Sequence, residues 1–133
     1  MADKFTLIVN TPDREFYRGE VSMLELTTSE GDIGIYAGHI PLTAVLVPGV
    51  MTIHEDGGEK KAAVHGGIIE ILQTKVNVLA EVAEWPDEID VNRANEARIR
   101  AERRLKSGDA HVNMVRAELA LKRSLARLNA VDD

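Results

Sequence analysis

The sequence predicts an α+β chain: a strand-rich module over residues 1–86, then a two-helix antiparallel hairpin over residues 87–133. Three observations carry this. All five aromatic residues (Phe5, Phe16, Tyr17, Tyr36 and Trp85) and nine of the ten glycines lie at or before Trp85-Pro86. Eight of the ten arginines lie after it. The charge reverses there too: the first 86 residues hold 6 Lys+Arg against 13 Asp+Glu, whereas residues 93–127 hold 10 against 4. Turn formers and aromatics suit short strands, and an arginine- and alanine-rich run suits helices.

Phe5-Thr6-Leu7-Ile8-Val9 reads as a first strand, closed by Asn10, Pro12 and Asp13. Val21–Thr28 alternates apolar and polar residues as a half-buried strand does. Ser29-Glu30-Gly31-Asp32 reads as a loop, and Gly34, Gly38, Pro41 and Pro48 break the following run into short extended pieces. Val50–Glu55 and Lys61–Val64 flank Asp56-Gly57-Gly58, a strong hairpin signal. Ile68–Leu72 and Val76–Val82 complete a series that indicates a sandwich or barrel, with no helix between strands to make parallel crossovers.

Beyond Pro86 the period becomes helical. Asp90 is placed as an N-cap, with Asp87 and Glu88 favouring the positive end of the helix dipole. Val91, Ala94, Ala97 or Arg98, Ala101 and Leu105 form a first seam. Gly108 suits the residue after the helix, and Asp109 the next N-cap. The second helix offers Val112, Val115 and Leu119 on one side, and Met114, Leu121, Leu125 and Leu128 on another, with Ala117, Ala120 and Ala126 between. A seam of alanines buries little area, so the hairpin is expected to depend on docking or a ligand.

Composition excludes several functions. No cysteine is present, which removes disulfides and thiolate metal sites. The four histidines (His39, His54, His65 and His111) lack metal-like spacing and read as structural or surface residues. No serine lies in a nucleophile motif, and Gly31-Asp32-Ile33-Gly34 is neither a dinucleotide fingerprint nor a P-loop. No secretory leader and no apolar run of membrane-spanning length is seen. The net charge of −6 and the lack of aromatics in the basic arm argue against nucleic acid as a partner.

The arginines of the arm stay open to interpretation. Arg93 and Arg100 share one stripe of the first helix; Arg116, Arg123 and Arg127 share one of the second. They form a solvated face with pairs such as Glu118 to Lys122, or meet an acidic partner, or converge on phosphate, which suits the guanidinium fork.

Gly31-Asp32-Ile33-Gly34-Ile35-Tyr36-Ala37-Gly38-His39-Ile40-Pro41-Leu42 resembles the G-x-[LI]-G-[IV]-x-x-G-H-x-P-L signature of the epsilon subunit family of F-type ATP synthases. His65-Gly66-Gly67-Ile68-Ile69-Glu70-Ile71 with Val76–Ala80, Ile89-Asp90-Val91-Asn92-Arg93-Ala94, Ala101–Leu105 and Arg116–Arg123 extend the resemblance over essentially the whole chain. It implies a β-sandwich of about ten strands followed by the hairpin, in a non-catalytic central-stalk rotor subunit. The implied partners are the gamma subunit, the c-ring and the alpha and beta subunits, at the cytoplasmic face of the bacterial membrane. Asp32 and His39 match the loop that faces the c-ring and gamma. The resemblance further implies an arm that inhibits ATP hydrolysis when extended and, in relatives from Bacillus-like bacteria, binds one ATP when folded. The matching positions are Glu84, Ile89, Asp90, Arg93, Ala94, Arg100, Arg116, Arg123 and Arg127; no residue pattern calls for magnesium. An arm that inhibits without binding ATP is the alternative. Trp85-Pro86 departs from the polar hinge expected: it forms a strand-to-helix corner, a stiffer hinge, or an indole placed near the base.

Overall fold

The computed structural model describes residues 3–132. Ten strands come first: β1 (Phe5–Asn10), β2 (Glu15–Val21), β3 (Met23–Thr28), β4 (Gly31–Tyr36), β5 (Leu42–Leu46), β6 (Gly49–Glu55), β7 (Gly58–Val64), β8 (Gly67–Ile71), β9 (Lys75–Ala80) and β10 (Ala83–Glu84). A 3₁₀ turn (Pro86–Glu88) leads to α1 (Val91–Lys106) and α2 (Met114–Val131).

The strand order is β10-β7-β6-β3-β5-β8-β9-β1-β2, with β4 on the remaining edge of β3. β3 pairs with β6 through Met23–Glu25 and passes to β5 at Thr28, opposite Leu46. The sheet folds over at this handover, and its two halves enclose one core. Leu24, Ile35, Met51 and Ile53 come from one half, and Leu7, Val9, Ile69, Ile71 and Val78 from the other. Each of these is at most 1 % exposed.

β2 escapes the sequence reading. Its run Arg18-Gly19-Glu20 carries no apolar alternation, yet it pairs antiparallel with β1 from Phe5 opposite Val21 onward. It is an edge strand whose buried contribution is confined to Phe16, Tyr17 and Val21, too few to show a period. Gly31 and Asp32 belong to β4 rather than to a loop. One pair, β1–β9, is parallel. No crossover helix is needed, because the connection between them is the rest of the sandwich.

Gly67 opens β8 where only glycine fits. Its φ is +126°, and a Cβ there would lie 2.1 Å from the Leu79 carbonyl oxygen, less than any real contact.

In the arm, Asp90 caps α1 as expected, its Oδ1 accepting the Arg93 N–H at 3.1 Å. Gly108 follows the C-cap Ser107 in the left-handed region, φ +69°. The N-cap of α2 is Asn113, not Asp109: Asn113 Oδ1 accepts the Arg116 N–H at 3.0 Å. Asp109 instead accepts from the His111 N–H at 2.9 Å and stabilises the connecting turn.

The hairpin folds back on the sandwich, with α2 across β6 and β7. Along β7 the faces alternate: Ala62 and Val64 enter the core, whereas Ala63 meets Ala126 and Ala130 of α2 together with Ile89. Alanines are the buried residues of both helices, with Ser124. The large apolar residues of both second-helix stripes stay in solvent to a considerable degree: Val115 is 77 %, Met114 47 % and Leu125 40 % exposed. The expected Glu118–Lys122 pair does not form among the described residues; the intrahelical pair that forms is Arg98–Glu102.

A cleft between the hinge and the two helices

A cleft of about 380 Å³ opens where the last strand, the hinge, α1 and α2 meet. Its walls are Glu84 from β10, Glu88 and Ile89 from the hinge, Asp90, Arg93, Ala94, Ala97 and Arg100 from the start of α1, and Arg127 from α2. Asp90 starts the helix, so Arg93, Ala94, Ala97 and Arg100 follow at three- and four-residue steps on one face. The small Ala94 and Ala97 leave room between the two arginines.

The site is electrostatically structured. Glu84 Oε1 accepts two hydrogen bonds of 2.8 Å, from Arg127 Nε and from His65 Nε2. Partial burial pushes the Glu84 carboxyl up, but these two donors outweigh it and hold it below the ordinary carboxylate range. At the mouth, Arg14 Nη2 reaches both oxygens of Glu88 at 2.7 and 2.9 Å, and Glu88 Oε1 also accepts the Trp85 N–H at 2.9 Å. The Arg14 bond, then the Trp85 N–H, depress the Glu88 carboxyl. Two of the acids are thus already neutralised, and Asp90 is committed to the helix cap. Arg93 and Arg100 carry no ion pair among the described residues. Two free guanidiniums and a third held by a carboxylate suit a small polyanion such as a nucleotide polyphosphate. Among the described residues, no group of three His, Cys, Asp or Glu side chains is placed to hold a metal ion.

Seven of the nine sequence-derived positions come together here: Glu84, Ile89, Asp90, Arg93, Ala94, Arg100 and Arg127. Arg116 and Arg123 are exposed and lie outside the lining. Ala97 lies on the first-helix seam that the helical period marks, whereas Glu88 and His65 join the site without a signal in the sequence. Glu88 reads there as a helix-dipole carboxylate, and nothing in the spacing of His65 shows that it is 2 % exposed and bonded to Glu84. The indole of Trp85 is not near the cleft lining. It stacks on Phe16 at 4.2 Å and 15° and meets Tyr17 edge-on at 6.3 Å, which packs the strand-to-helix corner against β2.

Asp32 and His39 belong to another part of the molecule. Asp32 is exposed on β4 and accepts from Thr27 Oγ1 at 2.8 Å. His39 sits in the β4–β5 connection, its Nδ1–H donating to the Ile40 carbonyl at 2.8 Å. No helix of the described residues is long and apolar enough to cross a membrane.

Comparison with known proteins gives one answer. Residues 4–86 match the family described as ATP synthase, Delta/Epsilon chain, beta-sandwich domain, and residues 87–132 its long alpha-helix domain. The ATP synthase epsilon chain of Clostridium kluyveri is 44 % identical over 97 % of this chain and 98 % of its own length. That of Bacillus cytotoxicus is 45 % identical over 94 % of each. A chain of the Euglena gracilis mitochondrial ATP synthase, in a structure of OSCP, F1 and c-ring, superposes with a TM-score of 0.82 at 25 % identity, covering 96 % of this chain and 80 % of that one. A chain of the Tetrahymena thermophila central stalk and c-ring shares the fold, with a TM-score of 0.65 at 17 % identity. With both of its modules matched in order and relatives aligned along nearly their whole length, the chain belongs to the delta/epsilon chain family of ATP synthase, a non-catalytic subunit of that complex.

Proposed function

We propose that this chain is a rotor subunit whose sandwich joins the gamma subunit to the c-ring, at the cytoplasmic face of a bacterial membrane, and whose helical arm inhibits ATP hydrolysis when released. The folded arm is stabilised by one ATP in the cleft. Arg93, Arg100 and Arg127 hold its phosphates, while Ile89, Asp90, Glu84 and the backbone at the start of α1 hold the base and ribose. Asp32 and His39 lie in the segment that meets the c-ring and gamma. The observation that carries the nucleotide reading is the convergence of arginines from both helices on one cleft that exists only while α2 is docked.

The arm acts by population shift. ATP favours the folded form only to the extent that it binds that form better than the released one. At 100 times its dissociation constant a ligand stabilises the form it binds by about 2.7 kcal/mol. The exposed Met114, Val115, Leu119 and Leu125 are consistent with a second arrangement, because docking leaves much of their apolar surface in water.

A second reading is favoured by a specific observation. Arg127 is already paired with Glu84, and Arg116 and Arg123 stand outside the lining, which suits an arm controlled by its protein partners alone. Calorimetric titration of the full chain with ATP, with GTP as control, separates the two. Saturable one-to-one binding selective for ATP supports the nucleotide-sensing arm. Absence of heat at millimolar ATP refutes it and leaves the second reading. Arg116→Ala and Arg123→Ala further decide whether the site extends beyond the lining; unchanged affinity in both removes these residues from it.

A further inference from the structure

We infer that His65 is a positioning residue for the arm: it sets the Glu84 carboxylate so that one oxygen latches α2 and the other is left for a ligand in the cleft. This deepens the nucleotide reading above and rests on it for the ligand, though not for the latch.

His65 follows directly on β7, whose Ala63 supports α2, and precedes Gly66 and Gly67, both in the left-handed region. The imidazole is 2 % exposed. The backbone N–H of His65 is fixed to the Val82 carbonyl at 2.9 Å, which places residue 65 beside the strand pair that carries Glu84. Nε2 reaches Glu84 Oε1; Nδ1 is sealed from solvent and, among the described residues, is the one buried side-chain polar atom with no hydrogen-bond partner.

The tautomer follows from chemistry. The Arg127 guanidinium on Oε1 favours the ionised form of Glu84, and a carboxylate only accepts, so Nε2 carries the proton. A buried imidazole with one satisfied nitrogen gains its only side-chain hydrogen bond from Glu84, and its burial makes that bond directional and hard to exchange for water.

The geometry at the carboxylate then matters. His65 and Arg127 both address Oε1. Arg127 comes from the arm, whereas His65 comes from the sandwich, so the imidazole fixes where Oε1 stands before the arm arrives. Oε2 accepts no hydrogen bond among the described residues, and Glu84 lines the cleft. A ligand group that donates, such as an exocyclic amine, meets a carboxylate already aimed and ionised. Without the imidazole, Glu84 gains rotamer freedom and loses the donor that offsets its desolvation, so Arg127 would have to order it alone.

The test compares His65→Ala, His65→Gln and Glu84→Gln in the full chain. Amide hydrogen exchange of α2 and ATP affinity are read separately. Loss of one hydrogen bond to a charged group predicts about a tenfold rise in α2 exchange and about a tenfold weaker ATP binding in His65→Ala. His65→Gln, whose side-chain amide can donate to Glu84, should recover much of both. Imidazole ¹⁵N shifts in the unsubstituted chain should show the Nε2–H tautomer, and Glu84→Gln should perturb that signal. Exchange of α2 that is unchanged in His65→Ala overturns the inference, as does a protonated Nδ1 in a neutral ring. If His65→Ala loosens the whole sandwich, His65→Gln decides: α2 exchange as fast there as in His65→Ala overturns the inference. If the unsubstituted chain binds no ATP, the nucleotide reading fails, while α2 exchange still decides the role of His65.

Discussion

Ala63→Leu should release the arm without opening the sandwich. Ala63 is fully buried, but its side chain belongs to the small cluster under α2 and not to the core enclosed by the sheet. The attraction that holds α2 down is modest. Two alanine methyls, from Ala126 and Ala130, contribute about 0.8 kcal/mol each, and the partly buried Val131 adds a comparable amount. The Glu84–Arg127 pair, with its side chains 23 % and 32 % exposed, adds about 1 kcal/mol after solvent screening. The gross attraction at this contact is therefore roughly 3 kcal/mol. Overpacking a filled contact costs about 1–3 kcal/mol, the same size. Native-state amide exchange reports both halves at once. Amides of α2 should exchange about tenfold faster or more, while those of β1, β8 and β9 keep their protection. Unchanged α2 protection would show that Ala63 does not support the docked arm. Parallel loss in the core strands would show that arm and sandwich are one cooperative unit. Either result refutes a weakly docked, separately released arm.

Four other outcomes follow from the same contacts. Gly67→Ala should prevent stable folding, because the new methyl meets backbone at 2.1 Å and φ +126° is strained for any side chain; circular dichroism and solubility report it. Trp85→Ala should cost about 2–4 kcal/mol in chemical denaturation, since it removes the stack on Phe16, and in the intact chain the indole emission should change little on ATP addition because the ring is outside the cleft. The Glu84 carboxyl is depressed in the folded arm, so its contribution to docking is present above its unfolded value and is lost as pH falls through the lowered folded value; α2 exchange followed downward from neutral pH should accelerate there, and Glu84→Gln should remove that step. Arg14→Ala should leave the sandwich folded but make the hinge amides from Trp85 to Ile89 exchange faster, as should high salt, since the Arg14–Glu88 pair lies in solvent.

The fold is legible wherever one residue pattern has one structural meaning. Asp56-Gly57-Gly58 marks a hairpin in any context, and Asp90 and Gly108 mark a helix start and stop by backbone chemistry alone. β2 is hidden because an edge strand needs few buried residues to be held by its neighbour. Asp109 is a plausible cap by residue type, but the cap is decided by where the chain first turns helical, and Asn113 holds that place. The cleft is legible in part for the same reason. Arg93 and Arg100 lie on one face by arithmetic, whereas the arrival of Arg127 beside Glu84 needs the hairpin to close on β7. His65 cannot be read at all: its partner is 19 residues away, and burial is a property of the packed sheet.

The way α2 is attached bears directly on whether it can act as a switch. Met114, Val115, Leu119 and Leu125 remain exposed, and the buried residues that α2 sets against the sandwich are the alanines Ala126 and Ala130. Leucines at Ala126 and Ala130, if accommodated, would each add burial of about 2 kcal/mol, and a ligand contribution of about 2.7 kcal/mol would then be small beside the docking energy. With alanines the two quantities are comparable. The arm can therefore be held or released by a ligand of ordinary affinity, or by the loss of one ion pair. Specificity is supplied instead by direction: a guanidinium from α2 must meet one oxygen of a carboxylate already fixed from the sandwich side. A weak apolar contact with a directional polar latch gives an arm that has one docked position and is still easily displaced from it.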